Sequence, residues 1–176
     1  MKEERLYIVG YMASGKTTFG RALARDLGWD FIDLDEEIER SEERSVARII
    51  KEEGEAAFRE KESKALKSTA ALKHTVIACG GGTPCFFDNM EFMTLHGMSL
   101  WLLASPERIA ERIIAAGPTR PLVAGMERDA LVAHVKRHLL QRQPYYARAN
   151  WRLSGERLED EAQIADTVAA FRHSFL

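Results

Sequence analysis

LYIVGYMASGKTTFGRALARDLG, residues 6–28, decides how the chain folds. Leu6 to Val9 form a short apolar strand-like run, and Gly10, Gly15, Lys16 and Thr17 then match GxxxxGK(S/T). Phe19, Leu23 and Leu27 recur every four residues and draw one apolar helix face, which Gly28 closes as a C-terminal cap. A strand before the motif and an amphipathic helix after it give the motif its meaning. Backbone N–H groups in such a loop converge on phosphate oxygens at the positive end of the helix. Lys16 adds a point charge toward the β and γ phosphates, and Thr17 offers a hydroxyl to Mg²⁺. Ala13, Ser14, Gly15, Lys16, Thr17 and Thr18 are therefore the candidate nucleotide contacts, with a nucleoside triphosphate and Mg²⁺ as the expected ligands.

The same alternation of strand and helix continues outward from this stretch. Leu6 to Val9, Phe31 to Asp33, Thr75 to Ala78, Leu100 to Leu103 and Trp151 to Leu153 are candidate strands separated by segments of helical period. The pattern predicts an α/β fold: a five-stranded parallel sheet with helices on both faces, in a single domain over residues 1–176. Asp88 is expected to cap a helix that Gly97 ends, and Ser105 with Pro106 to open one that Gly117 closes. Leu131, Val135 and Leu139 mark a helix face that should end or kink near Pro144; Ile164, Val168 and Phe171 mark a C-terminal helix. Two regions depart from plain alternation. Residues 33–71 are long, charged and mostly of helical character, which reads as an inserted substrate module. Residues 117–129 hold two glycines, two prolines and two arginines with little periodicity, as expected of a lid.

Composition narrows the partners. A chain of 176 residues with 45% hydrophobic and 30% charged residues can bury a core, and a net charge of -2 gives no reason to expect nucleic-acid binding. No apolar run reaches the roughly 20 residues of a membrane span, and the start carries no signal-peptide pattern, so a cytoplasmic monomer acting on small molecules is expected. Cys79 and Cys85 are too few for a disulfide framework. His134 and His138 lack the HExxH pattern of a metal site, and Met90, Met93 and Met98 with Phe86, Phe87 and Phe92 read as core.

A phosphate cradle does not name an acceptor, because GTPases, motor ATPases and small-molecule kinases share it. The chain has no guanine-reading NKxD, and its third strand, TVIACGGG, ends in cysteine and glycines where an ATPase would carry a terminal Asp. A kinase acting on a small acceptor, or a nucleotide-binding regulator, remains. Asp33 and Asp35 stand one residue apart at the end of the second strand. One carboxylate suits Mg²⁺ through water, and the other suits a substrate hydroxyl whose proton must leave. Phe58, Arg59 and Glu62 follow within about one helical turn; taken alone, Arg59 and Glu62 read as a surface ion pair. Gly80, Gly81 and Gly82 allow close backbone approach to a ligand, while Arg142 and Arg120 are candidate anion-binding forks.

Together GYMASGKTTFG, FIDLDEEIE, GEAAFREKE, the GGG, TRPL and LLQRQPYYARA resemble the shikimate kinase family, from the phosphate loop to about Arg148. That resemblance implies an ATP-dependent transfer to the 3-hydroxyl of shikimate in aromatic amino acid biosynthesis. By position it implies that Asp35 binds the hydroxyls and acts as base, that Arg59 and Arg142 clamp the carboxylate, and that Gly81 approaches the acid through its backbone. It further implies that Asp33 joins Thr17 around magnesium, that Arg120 closes over the phosphates, and that Arg112 lies against the adenine, with Arg157 a looser match. Two positions depart from the common pattern: Cys79 replaces a hydroxyl residue, and Ala13 replaces a glycine. Because positive φ costs alanine on the order of 1 kcal/mol, Ala13 is expected at negative φ.

Overall fold

A computed structural model describes residues 5–117 and 126–175. Its sheet runs β2-β3-β1-β4-β5, with every neighbouring pair parallel. The strands are β1 (Arg5–Val9), β2 (Asp30–Asp33), β3 (Thr75–Ala78), β4 (Met98–Leu103) and β5 (Trp151–Ser154). The helices are α1 (Lys16–Leu27), α2 (Leu34–Glu42), α3 (Val46–Glu53), α4 (Glu55–Ser68), α5 (Asn89–His96), α6 (Pro106–Ala115), α7 (Arg128–Tyr146) and α8 (Glu161–Phe175).

β1 lies at the centre of the sheet, and its alternating side chains sort the core into two layers. Leu6 and Ile8 face one side, where Phe19 and Leu23 of α1 and Val168 and Phe171 of α8 cover them. Tyr7 and Val9 face the other, against Ile38, Ile49, Phe58 and Leu66 of α2, α3 and α4, with Tyr146 of α7. Register places the ends of β1 and β3 side by side, since Ile8 pairs with Ala78 and Asp33 with Ala78 from the opposite edge. The phosphate loop after β1, the acidic turn after β2 and the glycines after β3 therefore open onto one end of the sheet, where α/β folds bind ligands.

Local signals behave as their chemistry dictates, with instructive exceptions. Gly28 adopts φ 66° and closes α1, and the Ser105 hydroxyl accepts from Arg108 N at the start of α6. Asp88 does occupy the position before α5, but its carboxylate leaves the helix end uncapped and pairs with Lys67 at 2.9 Å. α7 ends at Tyr146, two residues past Pro144 and so near the stop expected there; Pro144 itself stays inside the helix, without the bond that an N–H would have made to Leu140. Phe87 is 64% exposed, in contrast to the core position expected for it. Residues 118–125, which include Arg120 and most of the expected lid, lie outside the described residues. Among the described residues no helix is long and apolar enough to cross a membrane.

Candidate active site

The phosphate loop is held in shape by backbone geometry that its sequence only partly advertises. Gly15, at φ 99°, begins α1, and a β-carbon there would lie 2.5 Å from Leu158 Cδ1. Ala13, in contrast to expectation, sits at φ 57°. The reason is a tight turn: Ser14 N donates to Tyr11 O at 3.2 Å, which puts Ala13 at the third position, where several turn types take positive φ. The loop shape outweighs the preference of one alanine. Ala13→Gly should therefore raise stability by about 0.5–1 kcal/mol, the relief of left-handed strain less the entropy of a freer unfolded chain. Chemical denaturation would show it as a higher midpoint.

Around this loop lies a cavity of about 520 Å³ lined by Ala13, Gly15, Lys16, Thr17 and Thr18, by Asp33 and Asp35, and by Gly80, Gly81 and Arg112. Ser14 is buried beneath the loop. Lys16 Nζ donates to Gly10 O at 3.0 Å and Tyr11 O at 2.8 Å, so the ammonium stands within the loop it serves. Thr17 Oγ1 donates to Asp33 Oδ2 at 2.7 Å, and Asp35 N donates to the other Asp33 oxygen at 3.1 Å. Asp33 thus caps α2, and Asp35 belongs to that helix's first turn. The two aspartates reach one wall of the cavity through a strand-to-helix turn.

The paired carboxylates create an uneven field. Burial, with Glu62 and Asp33 nearby, lifts Asp35 from 3.8 to about 6, while Lys16 pulls it down. Glu62 is fully buried; it accepts from Arg59 Nη1 at 2.8 Å and from Thr83 Oγ1 at 2.6 Å. Arg59 and Glu62 are accordingly an interior pair and not the surface bridge that helix spacing alone suggests. The pair is enclosed because Phe58 packs into the core and the Arg59 guanidinium lies over both Phe58 and Phe86, at 5.1 and 4.4 Å from the ring centres. Charge with buried partners on both sides is oriented before any ligand arrives.

Space explains the three glycines better than backbone freedom does. A β-carbon on Gly80 would meet Glu62 Oε1 at 2.7 Å and Asp35 Oδ1 at 3.0 Å; one on Gly82 would meet Arg59 Nη2 at 2.6 Å. On Gly81 it would stand 3.1 Å from Met12 N and 3.4 Å from Arg142 Nη1. The glycine turn therefore threads between the carboxylates, the phosphate loop and both arginines; Gly80 and Gly81 line the cavity, whereas Arg59 and Arg142 stand behind the turn and do not. Arg142 also lies over Tyr11, 5.3 Å from the ring centre.

Two of the sequence candidates behave differently. Arg112 lines the cavity, but its guanidinium is occupied: Nη1 donates to Ser14 O at 3.1 Å, Nη2 to Gly155 O at 2.8 Å, and Nε to Glu159 at 2.9 Å. It fastens the phosphate loop to the segment after β5. Arg157 is exposed and does not line the cavity; its neighbours Leu158 and Glu159 do. Thr83, Leu158 and Glu159 were absent from the sequence candidates, because single residues outside a motif carry no pattern of their own. Cys79 is fully enclosed, and burial pushes its thiol far above the ordinary range, so it stands as a neutral wall residue.

Comparison with known proteins agrees with this geometry. A family model described as shikimate kinase matches residues 12–172. The shikimate kinase of Bacteroides fragilis is 40% identical over 168 residues, covering 96% of this chain and 94% of that protein. A crystal structure of shikimate kinase from Bacteroides thetaiotaomicron superposes with a TM-score of 0.94 at 39% identity, covering 97% of each chain. One from Acinetobacter baumannii, in complex with shikimate, gives 0.85 at 30% identity over 98% of this chain and 92% of that one. A phosphate loop facing an acidic turn and an arginine-lined glycine turn, in a chain matched across nearly its whole length, leaves one assignment: the chain belongs to the shikimate kinase family.

Proposed function

We propose that this chain transfers the γ-phosphoryl group of ATP to the 3-hydroxyl of shikimate, giving shikimate 3-phosphate and ADP. The observation that carries the reading is one cavity lined together by Lys16, Thr17, Asp33, Asp35, Gly80 and Gly81, with Arg142 beside it against Gly81. The complex of the Acinetobacter baumannii relative with shikimate supports the choice of acceptor.

Roles follow from the chemistry of each side chain. The loop and Lys16 receive the phosphates of ATP, with Thr18 at the loop's edge, and Arg112 fastens the loop from behind through Ser14 O and Gly155 O. Arg142 and Arg59 present planar forks to the substrate carboxylate, with Glu62 fixing Arg59 and the backbone of Gly81 closing on the ring. Asp35 accepts a hydrogen bond from the acceptor hydroxyl and takes its proton as the phosphoryl group arrives. Thr17 and Asp33 offer a hydroxyl and a carboxylate side by side, a hard-oxygen pair suited to Mg²⁺, whose remaining ligands would be phosphate and water. Bound there, the ion would neutralise charge on the phosphates. By the family resemblance, Arg120 adds positive charge over the transferring group, residues 117–129 act as a lid, and residues 33–71 serve as the substrate module. The reading carries with it a single-domain, monomeric, cytoplasmic enzyme.

Proton affinity gives a pH test. Asp35 must be ionised to accept the proton, so kcat/KM for shikimate should fall about tenfold per pH unit below about 6 and level off above it. Initial rates across that range check this; a flat profile down to the ordinary carboxylate range would remove Asp35 as the base. Product identity is read by ³¹P NMR, where a phosphate monoester appearing only with shikimate is the expected result. Inorganic phosphate alone would mean that the site hydrolyses ATP without an acceptor.

A further inference from the structure

We infer that Tyr146 is a positioning residue for the acceptor acid, setting the gap between Gly81 and Arg142; the inference rests on the shikimate kinase reading above. Tyr146 is fully buried at the C-terminal end of α7, and its phenolic O–H donates to Gly81 O, the middle carbonyl of the glycine turn. Arg142 stands one helical turn earlier on the same helix. Gly81 therefore has the Arg142 guanidinium on one side and the Tyr146 hydroxyl on its carbonyl, so one helix end both supplies an anion fork and fixes the backbone opposite it.

The bond matters more here than elsewhere in α7. Pro144 removes the N–H that would have tied this last turn to Leu140, so the end of the helix lacks one internal bond. The tertiary bond from Tyr146 replaces it. Burial raises the phenol's proton affinity well above the ordinary tyrosine value, outweighing Arg142 beside it, so the group stays an O–H donor through the working pH range. The ring itself packs on Trp101, with centres 5.9 Å apart. That packing survives in phenylalanine, whereas the bond to Gly81 does not.

Tyr146→Phe should raise KM for shikimate by roughly 3- to 10-fold, the equivalent of one lost hydrogen bond, with KM for ATP unchanged. KM does not depend on the fraction of enzyme that folds, so even a poorly folding preparation reports the ratio. Because Tyr146 acts through the placement of Arg142, Tyr146→Phe added to Arg142→Ala should cost much less than it costs alone. An unchanged KM for shikimate, an equal rise for both substrates, or full additivity with Arg142→Ala would each overturn the inference. If the unaltered protein shows no shikimate-dependent turnover at all, the function assignment fails instead, and the two failures are distinct.

Discussion

Asp35→Asn should lower kcat by roughly 10²–10⁴-fold, the usual contribution of a positioned general base, while KM for ATP stays nearly constant. The size of the effect follows from what the side chain does. Asn keeps the shape and can still meet a hydroxyl, but it cannot take a proton at any working pH. Stability should move the opposite way. Because burial and neighbouring carboxylates raise the Asp35 pKa to about 6 in the folded protein, ionising it opposes folding. The folded state gains from its protonation below the unfolded value near 3.8 and loses that gain as pH rises through about 6. Asp35→Asn should therefore melt at a higher temperature than the parent at neutral pH, with the difference shrinking toward pH 3.8. Rate and melting measurements on one variant test both halves. A variant that loses activity and stability together would show that Asp35 is a structural carboxylate.

Arg142→Ala should raise KM for shikimate by roughly 30-fold or more, the typical effect of deleting one partner of a desolvated charge pair, and change KM for ATP little. Arg142 suits this test better than Arg59 does. Arg59 shares its guanidinium with the buried Glu62, so its removal leaves an uncompensated interior carboxylate and threatens the fold. Arg142 lies over the Tyr11 ring beside the glycine turn, and its loss strands no buried acid among the described residues. Steady-state kinetics with each substrate varied in turn separates the outcomes. Equal loss toward ATP and shikimate would place Arg142 on the phosphate loop through Tyr11 and remove it from the carboxylate clamp.

Much of this architecture is written in local patterns. β3 spans the expected Thr75 to Ala78, and the other strands grew by one or two residues at their ends, because main-chain pairing extends past the apolar run that signals it. The phosphate loop was legible because a fixed spacing between a strand and a helix has few other uses. What escaped is what depends on tertiary enclosure. Arg59 and Glu62 look like an ordinary helix-surface pair until Phe58, Phe86 and Thr83 close around them. Ala13 looks unsuited to positive φ until the Tyr11–Ser14 turn requires it. Arg112 looks like a free nucleotide contact until Glu159 and two carbonyls take up its donors. In each case the partner lies far off in sequence or in an irregular turn, where periodicity carries no signal.

ADP release followed by a coupled assay, with purified protein, ATP and Mg²⁺, tests the central claim most directly when shikimate is compared with gluconate and nucleoside monophosphates as acceptors. Turnover that depends on shikimate and is absent with the others is the expected result. Turnover with another acceptor in place of shikimate, or the same slow ADP release whether or not any acceptor is present, would contradict it.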